Sequence, residues 1–342
     1  MTNASLAQAS DIAIWAAIVV LAVAMLAFSV HLAVTGSART RRAERPTRDE
    51  RRGVPVSAGA SRHADATHAP DGHAADPDSA TTVPASPTDR PAPSRRWGVI
   101  GLQLTWLGTF LVVGGTVLRG LSVSRAPLGN MYEFALGTAV FTLVIYSAWS
   151  LRKDRLWLGA FVVVPVLLIL GAAKLWWYTE ASQLMPALDN IWLVIHVTIA
   201  TLSIALFLLG AAVATAYLLR DSAQRKGEVR GWLAALPEAV TLERITYGVH
   251  IVAFPLWTFA VMSGAIWAEQ AWGRYWGWDP KETWSFVIWV VYAAYLHARA
   301  TSGWTTRKAT WVAIAGFGCI VVNYTVVNLL MTGLHSYSGV AN

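Results

Sequence analysis

The sequence has only one cysteine, Cys319, among its 342 residues. A single thiol excludes an internal disulfide, a C-x-x-C redox pair and a C-x-x-C-H motif within the chain. Charged residues make up only 14% of the composition, and the acidic ones are too sparse to form an obvious hydrolase pair. The sequence also lacks a glycine-rich phosphate loop and an H-E-x-x-H zinc helix. Any thiol chemistry in which the chain takes part therefore involves a partner.

Apolar residues, in contrast, make up 55% of the chain, and the mean hydropathy is +0.45. These values exclude an ordinary soluble domain and indicate a polytopic membrane protein. Crossing about 30 Å of hydrocarbon takes about 20 helical residues, so we predict an all-α bundle of about eight transmembrane helices. The predicted spans are 11–35, 98–120, 131–151, 156–177, 190–219, 245–268, 284–302 and 309–332.

Clusters of Lys and Arg predict the orientation of the bundle. They follow the first, third, fifth and seventh spans, at 38–52, 151–155, 220–230 and 297–308. Short cytoplasmic loops retain positive charge, so both termini are predicted on the outer face of the inner (plasma) membrane. The net charge of +7 is explained by this asymmetry and gives no indication of nucleic-acid binding. A cleaved signal peptide at 11–35 is the less favoured alternative, since that segment is long and Arg-rich sequence follows it.

Composition divides the chain into three parts. Residues 1–35 are predicted as an N-terminal transmembrane helix, and residues 97–342 as the main membrane domain. Between them, residues 36–96 are rich in Arg, Ala, Pro, Asp, Ser and Thr, which predicts a disordered cytoplasmic linker. Its three evenly spaced histidines, His63, His68 and His73, are not expected to form a specific metal site.

A tryptophan-rich loop lies between the sixth and seventh spans, within residues 269–284. The stretch AWGRYWGWDPKETW, residues 271–284, contains Trp272, Trp276, Trp278 and Trp284. One interpretation is an aromatic belt at the outer membrane interface. The other is a platform for a flat, hydrophobic ligand with a polar edge, because tryptophan supplies a rigid planar surface with an N–H donor. The glycines between these rings allow the backbone to pack closely against such a body.

The same loop carries the signature of a helix start. Asp279 is predicted as the N-cap, Pro280 as the first helical residue and Glu282 as the third residue of a capping box. The positive end of this helix and Lys281 would together suit ligand carboxylates such as haem propionates. Asp279 and Glu282 could alternatively move protons, although we favour capping.

Histidines are predicted at two depths. His196 and His335 lie near the outer ends of the fifth and eighth spans, which predicts two imidazoles beside the tryptophan loop. Such a pair suggests axial ligands for the iron of a macrocycle, although an isolated interfacial histidine is usually only hydrogen-bonded. His297 and His250 lie towards the inner side, where ionisable residues tend to mark a pathway or a site. His31 lies near the inner end of the first span, and we favour a packing role for both His31 and His250.

Several motifs, in order, resemble the CcsA/ResC-type family of system II cytochrome c biogenesis. WGRYWGWDPKETW is similar to the WWD signature of that family. The other matching stretches are PLGNMYE (127–133), WLVIHV (192–197), FPLWTFAVMSGAIWA (254–268), YLHAR (295–299) and GLHSYSG (333–339). The resemblance covers most of residues 98–340, and the first span and the linker lie outside it.

The resemblance implies that the protein is a haem-handling subunit of a membrane cytochrome c synthase. His196 and His335 would be external ligands of haem b, and His297 a ligand within the membrane. The implied partners are a ResB-type membrane subunit, apocytochrome c and a thioredoxin-like reductant. His250 departs from the family pattern, and whether it is a second inner ligand or a packing residue is left open.

Three other functions are possible: a haem exporter without a ligation role, a quinol-linked membrane cytochrome and a scaffold for a respiratory complex. We rank all three below the synthase subunit.

Overall fold

A computed structural model describes residues 3–43, 93–184 and 190–335, and all the regular structure within these ranges is helical. The helices are α1 Ala4–Ala43, α2 Pro93–Val123, α3 Met131–Arg152, α4 Gly159–Leu175, α5 Ile191–Arg225, α6 Ala239–Trp272, α7 Pro280–Ala300 and α8 Thr306–Val322. Short 3₁₀ turns, Leu156–Leu158 and Gly231–Ala235, precede α4 and α6, and α8 continues through a π-helical turn, Asn323–Val327, to Asn328–Leu330. The all-α prediction is confirmed.

Seven of these helices are long and apolar enough to cross a membrane, judged by length and composition. The exception is α7, which has 21 residues and coincides with the predicted seventh span. It lies between α6 and α8 in the chain and packs against both. The part of the chain that the structure describes is therefore a polytopic helical bundle, with α7 as its least apolar member.

The helix starts follow from local chemistry. Asn130 caps α3 by accepting a hydrogen bond from the amide of Glu133, and Asn190 caps α5 through the amide of Trp192. Each Asn oxygen satisfies an amide that has no partner within its own helix. The bounds differ from the predicted spans mainly because α1, α2, α5 and α6 continue beyond the apolar core of each segment.

The first two helices pack along a glycine seam. Three glycines of α2, spaced seven residues apart, each meet a large side chain of α1: Gly101 meets Phe28, Gly108 meets Leu21, and Gly115 meets Ile14. A Cβ on any of these glycines would lie within 3.0 Å of its partner. Small residues let membrane helices approach closely, so this spacing fixes the register of α1 against α2.

The bundle has two apolar cores. The larger one joins α1 to α4 with parts of α5 and α6, and the smaller one joins α5 to α8. A third, minor cluster contains Leu193, Val197 and Trp267, at the end of the bundle where α5 begins and α6 ends. This end, which we call the site end, also carries the tryptophan-rich loop. The predicted linker lies mostly in residues 44–92, outside the described residues.

Candidate functional site

The tryptophan-rich loop is shaped by two glycines and one strained residue. Gly273 ends α6 in the left-handed region, with φ 73°, and its amide bonds to the carbonyl of Glu269. A Cβ at Gly277 would overlap the guanidinium of Arg274, which packs directly over that glycine. Trp278 also adopts a left-handed backbone, with φ 59°. This conformation is unusual for a bulky residue, and it accompanies an indole that is 66% exposed.

The predicted capping box at the start of α7 is confirmed. The Asp279 side chain accepts from the amide of Lys281, and the Glu282 carboxylate accepts from the amides of Gly277 and Asp279. Glu282 also pairs with Arg274. These carboxylates already bind the loop and first-turn amides, so the helix end is less available to ligand carboxylates than the sequence suggested.

Asp279 has a second role that links the loop to the chain terminus. Its carboxylate accepts hydrogen bonds from the amide of Leu334, at 2.7 Å, and from Nδ1 of His335, at 3.0 Å. Burial raises the pKa of Asp279, but the hydrogen bonds from His335 and from the two amides outweigh burial and lower it to about 2. Asp279 is therefore ionised at neutral pH and fixes the orientation of His335.

His196 is oriented in a similar way by a backbone acceptor. Its Nδ1 lies 2.7 Å from the carbonyl oxygen of Ala260 on α6. Gly264, one turn further along α6, leaves space for the imidazole, because a Cβ there would lie 2.7 Å from a ring carbon. A carbonyl oxygen only accepts, so Nδ1 carries the proton and Nε2 presents a lone pair.

Trp267 packs against both imidazoles. Its ring stacks on that of His196, with centroids 6.2 Å apart and an interplanar angle of 4°, and lies 5.8 Å from that of His335. Trp272 also packs against His335, with ring centroids 4.7 Å apart. The predicted proximity of the two histidines to the tryptophan cluster is thus confirmed. In both histidines Nδ1 is hydrogen-bonded to an oxygen acceptor, an arrangement typical of metal-ligating histidines.

Two cavities meet at these histidines. One, of about 110 Å³, lies among α5, α6, α7 and α8 and is bounded by Tyr275 and Trp276 of the loop. The other, of about 140 Å³, lies against the start of α3 and is bounded by Trp267. Residues that line both cavities are Phe134, His196, Lys281, Tyr324 and His335.

Lys281 places an amine between the two cavities. Its Nζ donates to the Asn323 carbonyl at 2.9 Å and to Oδ1 of Asn328 at 2.8 Å. Both acceptors belong to the π-helical turn of α8 or its first following residue. Burial lowers the pKa of Lys281 to about 7, although the Asp279 carboxylate opposes this shift, so the amine is close to its titration midpoint at neutral pH.

The predicted aromatic residues divide into two groups. Trp276 lines the larger cavity and Trp272 packs on His335. Trp278 instead packs edge-on against Trp276 and Phe286, away from both cavities. Trp284 also lines neither cavity. The structure thus brings two of the four predicted tryptophans to the histidines.

The inner histidines are not part of this site. His250 is fully buried; its Nδ1 bonds to the Thr246 carbonyl at 2.7 Å, and Phe207, Tyr292 and Tyr295 surround its ring. His297, near the end of α7, is exposed, and its Nε2 lies 3.4 Å from the Thr301 hydroxyl. The structure thus places these two histidines in different surroundings, His250 in the core and His297 on the surface of the bundle.

His31 is buried on α1, near the side chain of Thr35. This position agrees with a packing role.

One functional feature was missed at the sequence level. Glu133 is fully buried and accepts from Arg119 at 2.9 Å, from Arg125 at 2.8 Å and from the Gly129 amide at 2.7 Å. These contacts fix the 125–130 segment, part of which forms a wall of the smaller cavity. The signal for this contact is the PLGNMYE stretch, in which an acidic residue, Glu133, follows the helix cap Asn130 in the pattern of a buried helix start.

Comparison with known proteins agrees with this geometry. Residues 128–335 match the family model described as cytochrome C assembly protein, and this range contains every residue of the site described above. The chain belongs to the cytochrome c assembly protein family.

Three similar relatives carry the name cytochrome c biogenesis protein CcsA. That of Guillardia theta is 34% identical, covering 67% of this chain and 81% of the relative. Those of Picosynechococcus sp. and Synechococcus elongatus are 32% and 35% identical, each covering 70% of this chain and 87% and 86% of the relative.

Membership of the cytochrome c assembly family gives the chain a role in cytochrome c biogenesis. This role implies the handling of haem and the participation of apocytochrome c. Together with its helices, membership also identifies the chain as a multi-pass membrane protein. The resemblance described from the motifs is confirmed.

Proposed function

We propose that the protein binds haem b between His196 and His335 and positions it for covalent attachment to apocytochrome c. One observation carries this proposal: two imidazoles line the same pair of cavities, each with Nδ1 hydrogen-bonded to an oxygen acceptor. Each therefore has Nε2 free to bind iron. A macrocycle held at these nitrogens would extend into both cavities.

The remaining polar groups suit a macrocycle with carboxylates at its edge. Lys281 faces both cavities, and a propionate beside its amine would favour the protonated form and pair with it. Nε1 of Trp267 is buried and has no hydrogen-bond partner in the described structure, and Trp267 lines the smaller cavity. A buried donor without an acceptor is costly, so a ligand oxygen near this indole would satisfy it. The aromatic and aliphatic walls would contact the ring faces.

The proposed attachment needs no nucleophile from this chain. Each reduced cysteine of the apocytochrome C-x-x-C-H motif adds its S–H across one vinyl group, with sulfur bonding to one carbon and hydrogen to the other. No oxidant is required, because the thiol and the alkene together contain all the atoms of the thioether. The histidine of the motif then replaces one of the two imidazoles on iron. The contribution of this protein is to hold the vinyl groups in place, which makes the encounter nearly intramolecular.

The proposed partners follow from this chemistry. The thiols must arrive reduced, which calls for a thioredoxin-like reductant, since Cys319 is the only cysteine of this chain. We assign the site to the extracytoplasmic side of the inner (plasma) membrane, on the basis of the Lys and Arg distribution. His297, exposed on α7, would contact haem at the interface with a ResB-type subunit.

The absorption spectrum of the purified complex tests the external ligands. We expect a bis-imidazole spectrum for the wild type, and a shifted or weakened one for His196→Ala and for His335→Ala, with loss of holocytochrome formation in each. Added imidazole should restore the spectrum of either variant, because it replaces the missing ligand. His31→Gln is the matched control, since it removes a histidine at the opposite end of the bundle. Unchanged spectra and activity in the two site variants would rule out the proposal.

A separate measurement addresses His297. If this residue contacts haem on its way to the site, His297→Ala should lower the total haem that co-purifies with the complex without shifting the spectrum of what remains. Haem added from the outer side should then restore occupancy. Normal haem content in His297→Ala would remove His297 from the proposal and leave the external site intact.

A further inference from the structure

A large apolar cavity lies at the end of the bundle opposite the site. Its volume is about 490 Å³, and it lies among α1, α4, α5, α8 and the 3₁₀ turn before α6. Its walls include Phe161, Pro165, Leu208, Ala212, Trp232 and Phe317. Neither haem ligation nor the tryptophan-rich loop uses this cavity, so its occupant requires a separate explanation.

A second apolar space, of about 120 Å³, adjoins this cavity on the side of the site, and we call the two spaces together the apolar passage. The two spaces share Leu208 and Phe317, and the second ends at Phe134 and Tyr324, which also line the haem cavities. Along α5, the passage runs from Thr215 to Ile204. At 1.5 Å per residue this is about 16 Å, close to half of the roughly 30 Å hydrocarbon core. One lipid tail covers a similar depth.

The chemistry of the passage favours a hydrocarbon chain over a polar ligand. Four residues with hydroxyl groups line its walls. Those of Thr138, Thr215 and Thr325 each bond to a carbonyl of their own helix, and that of Tyr324 bonds to the Met131 carbonyl. Charged propionates would have no cationic partner among the described lining residues, and burying them there would be costly. A saturated chain meets no such penalty.

Two guanidiniums lie beyond the wide end of the passage. Arg39 and Arg220 lie seven and five residues beyond Leu32 and Thr215, which line the cavity, or about 10 Å and 8 Å further along their helices. Both donate to carbonyls of the 3₁₀ turn that contains Trp232, Arg39 to Ala234 and Ala235 and Arg220 to Leu233. The turn thus joins the charges to the cavity wall.

Within the part of the chain that the structure describes, no ion pair balances the positive charge at this position. Arg39 and Arg220 are close enough for their like charges to interact, and Glu238 also acts on Arg220. Among the described residues, however, neither guanidinium forms an ion pair with a carboxylate. Nε of Arg220 is buried without a hydrogen-bond acceptor. An anion at this point would neutralise both cations.

We propose that this cavity is a binding site for one anionic phospholipid, with a tail in the apolar passage and its phosphate at Arg39 and Arg220. Basic clusters where membrane helices meet the interface attract anionic lipids. The lipid tail would end behind Phe134 and Tyr324, which form the back wall of the haem cavities. The lipid would therefore support this wall and fill the space between α8 and the α4–α5 pair.

Lipid retention by the purified complex tests this proposal. The complex is extracted in a mild detergent, bound phospholipid is counted by native mass spectrometry, and unfolding temperature is measured with added phosphatidylglycerol or phosphatidylcholine. We expect one retained anionic lipid and a larger rise in unfolding temperature with phosphatidylglycerol. In the double variant Arg39→Gln/Arg220→Gln, the preference for phosphatidylglycerol should fall about tenfold or more. In Leu208→Trp, which fills the junction of the two spaces, both lipids should lose their effect.

Matched controls separate the site from general effects. Arg225→Gln removes an exposed charge near the end of α5, and Leu219→Trp places an indole on an exposed position of the same helix. Both should retain the lipid. Equal stabilisation by the two phospholipids, or the same losses in the controls, would overturn the proposal. The proposal would also be overturned if the variant His196→Ala/His335→Ala kept a haem signal that the further substitution Leu208→Trp abolished, because haem would then occupy the cavity. If the isolated chain retained the phospholipid and the complex did not, the proposal would also fail, because the partner subunit would then occupy the cavity.

Discussion

At the scale of single residues, Asp279 combines a local and a long-range function. Its carboxylate caps α7 through Lys281 and also positions His335, which is 56 residues away in the sequence. The cap was predictable because the D-P-x-E pattern is local. The contact with His335 was not, since it depends on how the chain returns after α8. Substitutions at Asp279 therefore affect helix stability and the orientation of an iron ligand together.

The low pKa of Asp279 predicts a specific acid dependence. The pKa is about 2 in the folded protein and 3.8 for an unperturbed aspartate, as in the unfolded chain, so the ionised carboxylate contributes stability above about pH 4, and this contribution is lost as pH falls towards 2. Asp279→Asn should lower the free energy of unfolding by about 2 kcal/mol at neutral pH, because a charged acceptor is replaced by a neutral one.

Thermal unfolding of both proteins from pH 7 to pH 2.5 checks this. The difference in the free energy of unfolding between the wild type and Asp279→Asn should be constant down to about pH 4 and then shrink. Asp221→Asn, a change at an ion pair with Arg225 at the other end of the bundle, controls for the loss of a charge. If this difference in the free energy of unfolding grew below pH 4, it would contradict the low pKa of Asp279.

His250 is predicted to stabilise the bundle without binding haem. Its ring packs against Gly210, where a Cβ would lie 2.5 Å from a ring carbon, and it lines none of the cavities described above. His250→Ala should lower the free energy of unfolding by about 2 kcal/mol, because it leaves a void in a packed core. Haem content, measured by absorption in the same preparation, should not change. Loss of haem at normal stability would instead make His250 a ligand.

At the scale of elements, the π-helical turn of α8 and the strained loop both serve the site. The turn presents the Asn323 carbonyl to Lys281 and places Tyr324 against Phe134, with ring centroids 5.4 Å apart. Such single π turns occur often at functional sites. The loop holds Trp278 in a left-handed conformation that costs on the order of 1 kcal/mol or more. Because its indole is exposed, folding does not account for this residue.

Trp278 is therefore predicted to act in contact with a client or partner protein. Trp278→Asn should keep or slightly raise the unfolding temperature, since Asn tolerates positive φ better than Trp. The same variant should reduce holocytochrome c formation several-fold while leaving the bound-haem spectrum in place. Trp304→Asn controls for the loss of an exposed indole, because Trp304 is half exposed outside the loop. Full cytochrome maturation in Trp278→Asn would show that the indole is dispensable.

At the scale of the whole molecule, local patterns in the sequence predicted the helices, the capping box and the proximity of two histidines to the tryptophan loop. The sequence did not indicate which tryptophans face the cavities. Trp267 is 2% exposed and contacts both imidazoles, yet the sequence placed it only within the FPLWTFAVMSGAIWA motif near the tryptophan-rich loop and gave it no role of its own. The cavities were also beyond prediction, because their walls come from residues far apart in the chain, such as Phe134 and Tyr324.

The division between the site and the first two helices leads to a final prediction. All residues of the haem site lie within 128–335, whereas α1 and α2 pack mainly through the glycine seam. In Gly108→Val, the added methyl groups would collide with Leu21, and such overpacking costs about 1–3 kcal/mol. We expect a lower unfolding temperature with an unchanged bis-imidazole spectrum, since the ligands belong to other helices.

Gly114→Val is a close control, because it lies on the same helix and a Cβ there meets no atom within 4 Å. This variant should unfold at the wild-type temperature or above, since glycine is the weaker helix former. Equal destabilisation by the two substitutions would mean that the seam does not fix α1. Loss of the haem spectrum in Gly108→Val alone would mean that α1 and α2 control the ligands as well, through α3 and the wall that Arg119 and Arg125 hold in place.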